Sequence, residues 1–233
     1  MPRLILLRHG QSLWNRERRF TGWTDIDLSP QGVKEARHAG RLMRGAGIAI
    51  DLAYTSLLKR ALRTLWIVLD EMGLVGVPVI QSWRLNERSY GSFEGLCLDE
   101  AEEIYGAEQV RVWRKSFHHR FPARPEGGIG LQEGGRRRTN PIAGPPSSSE
   151  SLKEVQERLL PLWQEEIAAD LEEGRSILVV SHGNTIRALV KHIEGISDLD
   201  IEDLAVHNAD PLVYELDGRL WPAERIVLGN NDM

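Results

Sequence analysis

Residues 4–12 read LILLRHGQS. Four apolar residues bounded by Arg8 and Gly10 read as a short buried strand. Arg8 and His9 at its end are either carried out of the core for chemistry or are an ordinary loop start. A second instance favours the first reading. Residues 177–185, ILVVSHGNT, again run from an apolar strand into His-Gly and a polar residue. In open α/β sheets ligands bind beyond the carboxyl ends of the strands. His9 and His182 are therefore expected at the same edge of one sheet, in a shared site.

Between these strands, strand and helix signals alternate. Ser29-Pro30 is a helix start, with Ser as N-cap and Pro at the first helical position; that helix ends near Gly45 and Gly47. Residues 50–56 form a second strand, and 57–73 an amphipathic helix with Leu58, Leu62, Leu65, Leu69 and Met72 on one face. A third strand spans 77–85, followed by an acidic helix near 99–105 and a further helical stretch. A long helix starts near Ser149 or Glu150 and runs to about Glu173, with a kink expected at Pro161. Residues 176–182 are a fourth strand, followed by a helix, and 212–217 a fifth. The pattern predicts an α/β fold: a three-layer α/β/α sandwich with a mostly parallel sheet covered on both sides. A single domain is expected over 1–233, with a lid insertion at about 116–149, where residues 121–149 are rich in Pro, Gly and Ser.

Composition narrows the function. Hydrophobic residues at 41% and charged residues at 27% fit a globular chain. No apolar run is long enough to span a bilayer, and the N-terminus lacks a signal pattern, so no membrane association is expected. The single Cys97 excludes an internal disulfide framework and fits a cytoplasmic location. A net charge of −5 argues against nucleic-acid binding. Positive charge is nevertheless concentrated in RVWRKSFHHR at 111–120 and in Arg136–Arg138. That is either a solvated face or the counterpart of an acidic substrate.

The strand-end segments also carry Arg60, Arg84, Asn86, Glu87, Arg88 and Tyr90. Two histidines and several arginines with one carboxylate lack the ligand cluster a hydrolytic metal site needs, so no metal is expected. Arginine prefers planar, bidentate contact with phosphate or carboxylate. The residue types point to a phosphate site.

In order and spacing, LLRHGQSLWN, RFTGWTDIDLSPQG, TSLLKRALRTLW, WRLNERSYG, VWRK, ESLKEV, SHGNTIRALVKHIEG and PLVYELDG resemble the cofactor-dependent phosphoglycerate mutases of the histidine phosphatase superfamily. The likeness runs to about Gly229. RHG alone is common across the superfamily; RFTGW with RLNERSYG is much more specific to the mutase branch. The resemblance implies interconversion of 3-phosphoglycerate and 2-phosphoglycerate in glycolysis and gluconeogenesis, through a phosphohistidine at His9. It implies 2,3-bisphosphoglycerate as the priming phosphate donor, and a homodimer or homotetramer. Arg8, Arg60 and His182 would clamp the phosphoryl oxygens, and Glu87 would shuttle the proton. On sequence alone, an ion pair of Glu87 with Arg84 or Arg88 competes with that role. Substrate binding would fall to Ser12, Asn15, Thr21, Gly22, Arg60, Tyr90, Arg114, Lys115 and Asn184. His38, His192 and His207 have no supporting motif and read as structural or exposed.

Several departures from the family pattern bear on substrate. GLCLDE places Leu98 where the family has a substrate-contacting Lys, and Lys115 replaces an Arg. His207-Asn208-Ala209-Asp210-Pro211 replaces the family's Pro-Thr-Gly-Ile-Pro, and Met233 ends the sequence short of the tail many relatives use to cover the site. A leakier site is therefore expected, with phosphatase activity beside mutase activity. The alternatives are a broad phosphomonoesterase of the same superfamily and a non-catalytic anion-binding protein.

Overall fold

The computed structural model describes residues 2–123, 149–226 and 228. Most of the expected lid, residues 124–148, and with it Arg136–Arg138, lies outside them.

Six strands form one sheet: β1 (Arg3–Arg8), β2 (Leu52–Thr55), β3 (Val79–Gln81), β4 (Ser176–Ser181), β5 (Pro211–Leu216) and β6 (Pro222–Ile226), in the order β3-β2-β4-β1-β5-β6. β3, β2, β4 and β1 run parallel, whereas β5 is antiparallel to β1 and β6 to β5. The layers follow from side-chain alternation along a strand. Leu4, Leu6, Ile177 and Val179 enter one core with α6 (Leu152–Leu162) and α8 (Gly183–Glu194). Ile5, Leu7, Leu178 and Val180 enter the other with α2 (Pro30–Gly45) and α3 (Lys59–Met72). Both faces of β1 and β4 are thus sealed, which makes the expected three layers. A smaller aromatic core, Phe20, Phe93 and Phe121 with Ala101 and Val110, seats α4 (Leu98–Tyr105) and α5 (Ala107–Lys115).

The structure corrects several boundaries. Within the expected strand 77–85 only Val79–Gln81 pair; the Ser82 hydroxyl then caps a 3-10 turn at Trp83–Leu85 that redirects the chain toward Asn86 and Glu87. The long helix begins at Leu152, where Ser151 and Glu154 form a capping box. Pro161 leaves no sharp break; one π turn at Trp163–Ile167 follows it before α7 (Ala168–Glu172). β6 has no counterpart in the sequence reading.

The loop after β1 is packed backbone to backbone against the start of α2. A Cβ on Gly10 would lie 2.3 Å from the Gly32 carbonyl oxygen, and one on Gly32 would lie 2.1 Å from that of Gln11. Ser29 caps α2 through the Gly32 N–H and donates to the Gln11 side chain, which locks the same loop.

Candidate active site

The carboxyl ends of β1 and β4 open onto a cavity of about 490 Å³. Its wall is cationic. Arg8 and Arg60 stand beside His9, while α5 and α8 contribute Arg114, Lys115 and Arg187; among the described residues Glu87 is the one carboxylate lining it.

The His9 N–H continues the β1–β4 ladder to the Ser181 carbonyl at 3.0 Å. Its Nδ1 lies 2.7 Å from the Gly10 carbonyl oxygen, which only accepts, so Nδ1 carries the proton. Nε2 is then the unprotonated nitrogen, and it accepts a long hydrogen bond from Arg60 Nε–H at 3.3 Å. Burial, then the Arg60 and Arg8 charges, hold the imidazole well below its usual pKa, so it is neutral at neutral pH. An unprotonated imidazole nitrogen beside guanidinium charge has the chemistry to act as a nucleophile toward a bound anion.

Arg60 is 1% exposed, and its two terminal nitrogens donate to the Thr24 and Gly22 carbonyls at 2.9 and 2.7 Å. Burial lowers its pKa to about 10, which leaves it charged. Arg8 Nη1 donates to Val206 at 2.7 Å, and its buried Nε has no partner among the described residues. Burial lowers its pKa while Glu87 opposes the shift.

His182, the N-cap of α8, does not line the cavity; its ring meets that of His9 edge-on, centroids 5.0 Å apart. Ser56 Oγ accepts from the Leu58 N–H and lies 2.7 Å from His182 Nε2. His182 Nδ1 is buried without a partner among the described residues. Burial and Arg60 keep this ring neutral as well.

Glu87 Oε1 accepts from the Arg88 N–H at 2.8 Å and from the Asn184 N–H, in the first turn of α8, at 3.2 Å. The competing ion pair does not form. Arg84 donates to the Arg158 carbonyl, and Arg88 to those of Glu150 and His119. The Glu87 loop is instead held from behind by Arg158, which donates to the Arg84, Asn86 and Glu87 carbonyls and pairs with buried Glu150 at 2.6 Å.

Asn15, Thr21, Tyr90, Arg114, Lys115 and Asn184 line the cavity, as does Leu98. Ser12 does not. It is fully buried, and its hydroxyl caps α1 (Leu13–Arg16) while its N–H binds Asn15 Oδ1. Gly22 also does not line the cavity. Its backbone at φ +52 turns its carbonyl onto Arg60 rather than toward a substrate. A helix start consumed Ser12, and a turn consumed Gly22.

The sequence reading missed Arg187, the contact of Ser56 with His182, that of Asn208 with His9, and the cavity position of exposed His207. Asn208 Nδ2 donates to the His9 carbonyl at 2.8 Å. Arg187 lies three residues after Asn184 on one helical face, a spacing that places the two side chains together. Nothing in the sequence marks Asn208. Among the described residues no three His, Cys, Asp or Glu converge as a metal site, and no helix is long and apolar enough to cross a membrane.

The family model described as "Histidine phosphatase superfamily (branch 1)" matches residues 4–228. A mycobacterial glucosyl-3-phosphoglycerate phosphatase, solved with VO3, is 26% identical at TM-score 0.70, with 92% of this chain and 91% of that one covered. A mycobacterial hydrolase is 25% identical at TM-score 0.69, covering 91% of each chain. The YhfR protein of Bacillus stearothermophilus is 25% identical at TM-score 0.71, covering 99% of this chain and 97% of that one.

Proposed function

For a chain that belongs to branch 1 of the histidine phosphatase superfamily, we propose phosphomonoester hydrolysis through a phosphohistidine at His9. The observation that carries it is the unprotonated Nε2 of a neutral His9 ring in the cavity wall, which accepts only a long 3.3 Å bond from Arg60 that a phosphate oxygen can take over. Nε2 attacks phosphorus; the P–N bond forms as the ester P–O bond breaks. Glu87 acts as the general acid that delivers a proton to the leaving oxygen, then as the general base that takes one from the water that attacks the phosphohistidine and releases inorganic phosphate. Arg8 and Arg60 stabilise the equatorial oxygens in place of a metal ion, while His182 packs edge-on against the His9 ring. Arg114 and Lys115 have no ion pair or side-chain hydrogen bond among the described residues, which suits a second anionic group on the substrate. The mycobacterial neighbour named for glucosyl-3-phosphoglycerate and solved with VO3 supports that substrate class.

The mutase is the second reading. RFTGW, RLNERSYG and the paired cations on α5 favour it; Leu98 in the cavity wall, where that family has a Lys, weighs against it. Only this reading needs 2,3-bisphosphoglycerate. Assaying phosphate release and 2-phosphoglycerate formation on one sample separates the two, with 3-phosphoglycerate and glucosyl-3-phosphoglycerate as substrates. The expected result is phosphate release that needs no bisphosphoglycerate and vanishes in His9→Ala. Isomerisation dependent on bisphosphoglycerate, with no phosphate release, would overturn it.

A further inference from the structure

We propose that Arg187 is a positioning residue, which acts through Asn184 to aim the Tyr90 hydroxyl hydrogen at the substrate. The proposal rests on the phosphatase reading of the cavity.

Donor and acceptor bookkeeping fixes the direction of every bond in the chain. Arg187 Nη1 lies 3.0 Å from one end of the Asn184 amide. A guanidinium only donates, so that end is Oδ1. The other end is then the NH₂ group, and it lies 2.8 Å from Tyr90 Oη. An amide NH₂ only donates, so Oη is the acceptor and keeps its own hydrogen. Among the described residues nothing accepts that hydrogen, and Tyr90 lines the cavity with His9, Glu87 and Arg8. Burial and then Glu87 raise the phenol to about 12, which keeps the proton in place. Removing Arg187 frees the amide to rotate. Oδ1 then competes for the phenolic hydrogen, and the donor is withdrawn from the substrate.

The other contacts of Arg187 are anchors. Nη2 donates to the Lys115 and Ile201 carbonyls at 3.1 and 2.7 Å, tying the end of α5 to the segment after α8. Of its three nitrogens only Nη1 touches the chain that ends at Tyr90, and Nε is buried without a partner among the described residues. The two roles are separable, because the anchoring is to main chain near Lys115 and the aiming is to Asn184.

The experiment is a double-mutant cycle on hydrolysis of p-nitrophenyl phosphate, with orthovanadate inhibition measured alongside. Tyr90→Phe is expected to lower kcat by about tenfold, the loss of one hydrogen bond to a charged group. Arg187→Met should lower kcat by a similar factor, and the double variant by no more than about twofold beyond Tyr90→Phe. Vanadate inhibition should weaken in the same pattern. Arg187→Lys, which restores a donor to Asn184, should recover most of the loss. Two outcomes overturn the relay: independent factors that multiply in the double variant, or an Arg187→Met effect confined to KM. If Arg187→Met fails to fold, Asn184→Leu takes its place in the same cycle, with the same non-additivity required. A wild type that neither hydrolyses p-nitrophenyl phosphate nor is inhibited by vanadate refutes the phosphatase reading, and the relay with it. An active wild type with multiplying variants refutes the relay alone.

Discussion

The two parts of the cavity are built on opposite plans. Around His9 every cation is tethered: Arg60 uses all three nitrogens and Arg8 is anchored on Val206. On α5, exposed Arg114 and half-buried Lys115 have no ion pair or side-chain hydrogen bond among the described residues. Burial, then the charges of Arg187 and Arg114, push the Lys115 pKa down against the opposing pull of Asp203 and Glu202. Fixed groups suit a transition state whose geometry does not vary among phosphate esters. Loose groups suit the variable remainder of the substrate. The chemistry is thus preorganised while the specificity is left adjustable.

The largest effect that tests this division is at the tethered end. His9→Ala should abolish phosphate release, and a labelled substrate should leave no acid-labile protein phosphate. Residual turnover near wild type would remove the distinction altogether. Glu87→Gln is expected to lower kcat by about 10²–10⁴-fold on an alkyl phosphate and far less on p-nitrophenyl phosphate, whose leaving group needs no proton. Equal losses on both esters would assign Glu87 to binding instead.

The pH dependence sharpens the same contrast. His9 and His182 have folded-state pKa values depressed below about 6.5, their unfolded value. Above that pH both states hold them neutral and their contribution to stability is fully present. As pH falls below it, the unfolded chain binds protons the folded one refuses, and stability drops. The slope is at most about 1.4 kcal/mol per pH unit for each ring. Urea unfolding at pH 7.5 and 5.5 measures it, and His182→Asn should flatten it. The acid limb of kcat/KM should likewise lie below pH 6.5. The smallest effect belongs to the untethered end. Leu98→Lys should lower KM for 3-phosphoglycerate by up to about tenfold, with kcat unchanged. A changed kcat would show that the two ends are coupled.

Much of this was legible because the two central strands announce themselves. LILLRHG and ILVVSHG are apolar on both faces, as only buried parallel strands are, and each ends in the residues of the site. β5 was legible as a strand but not as antiparallel, since the pattern of PLVYEL carries no direction. β6, PAERI, is a largely exposed edge strand whose order comes from pairing with β5, so its composition gives no signal. Within the site, strand ends and motifs located His9, Arg60, Glu87 and His182. They did not show that Ser12 is spent on a helix cap, or that Asn208 arrives from a turn after α8 to hold the His9 carbonyl. Those contacts depend on how distant segments pack, which local periodicity does not encode.

The face-to-face seating of Gly10 on Gly32 sets how a mutational screen of this enzyme would look. A single methyl at either position must displace main chain, because the obstructing atoms are carbonyl groups with no rotamer to escape into. The displaced segment is the one that holds His9. Both positions would therefore score alongside the reactive side chains in an activity screen, although neither has a functional group to offer.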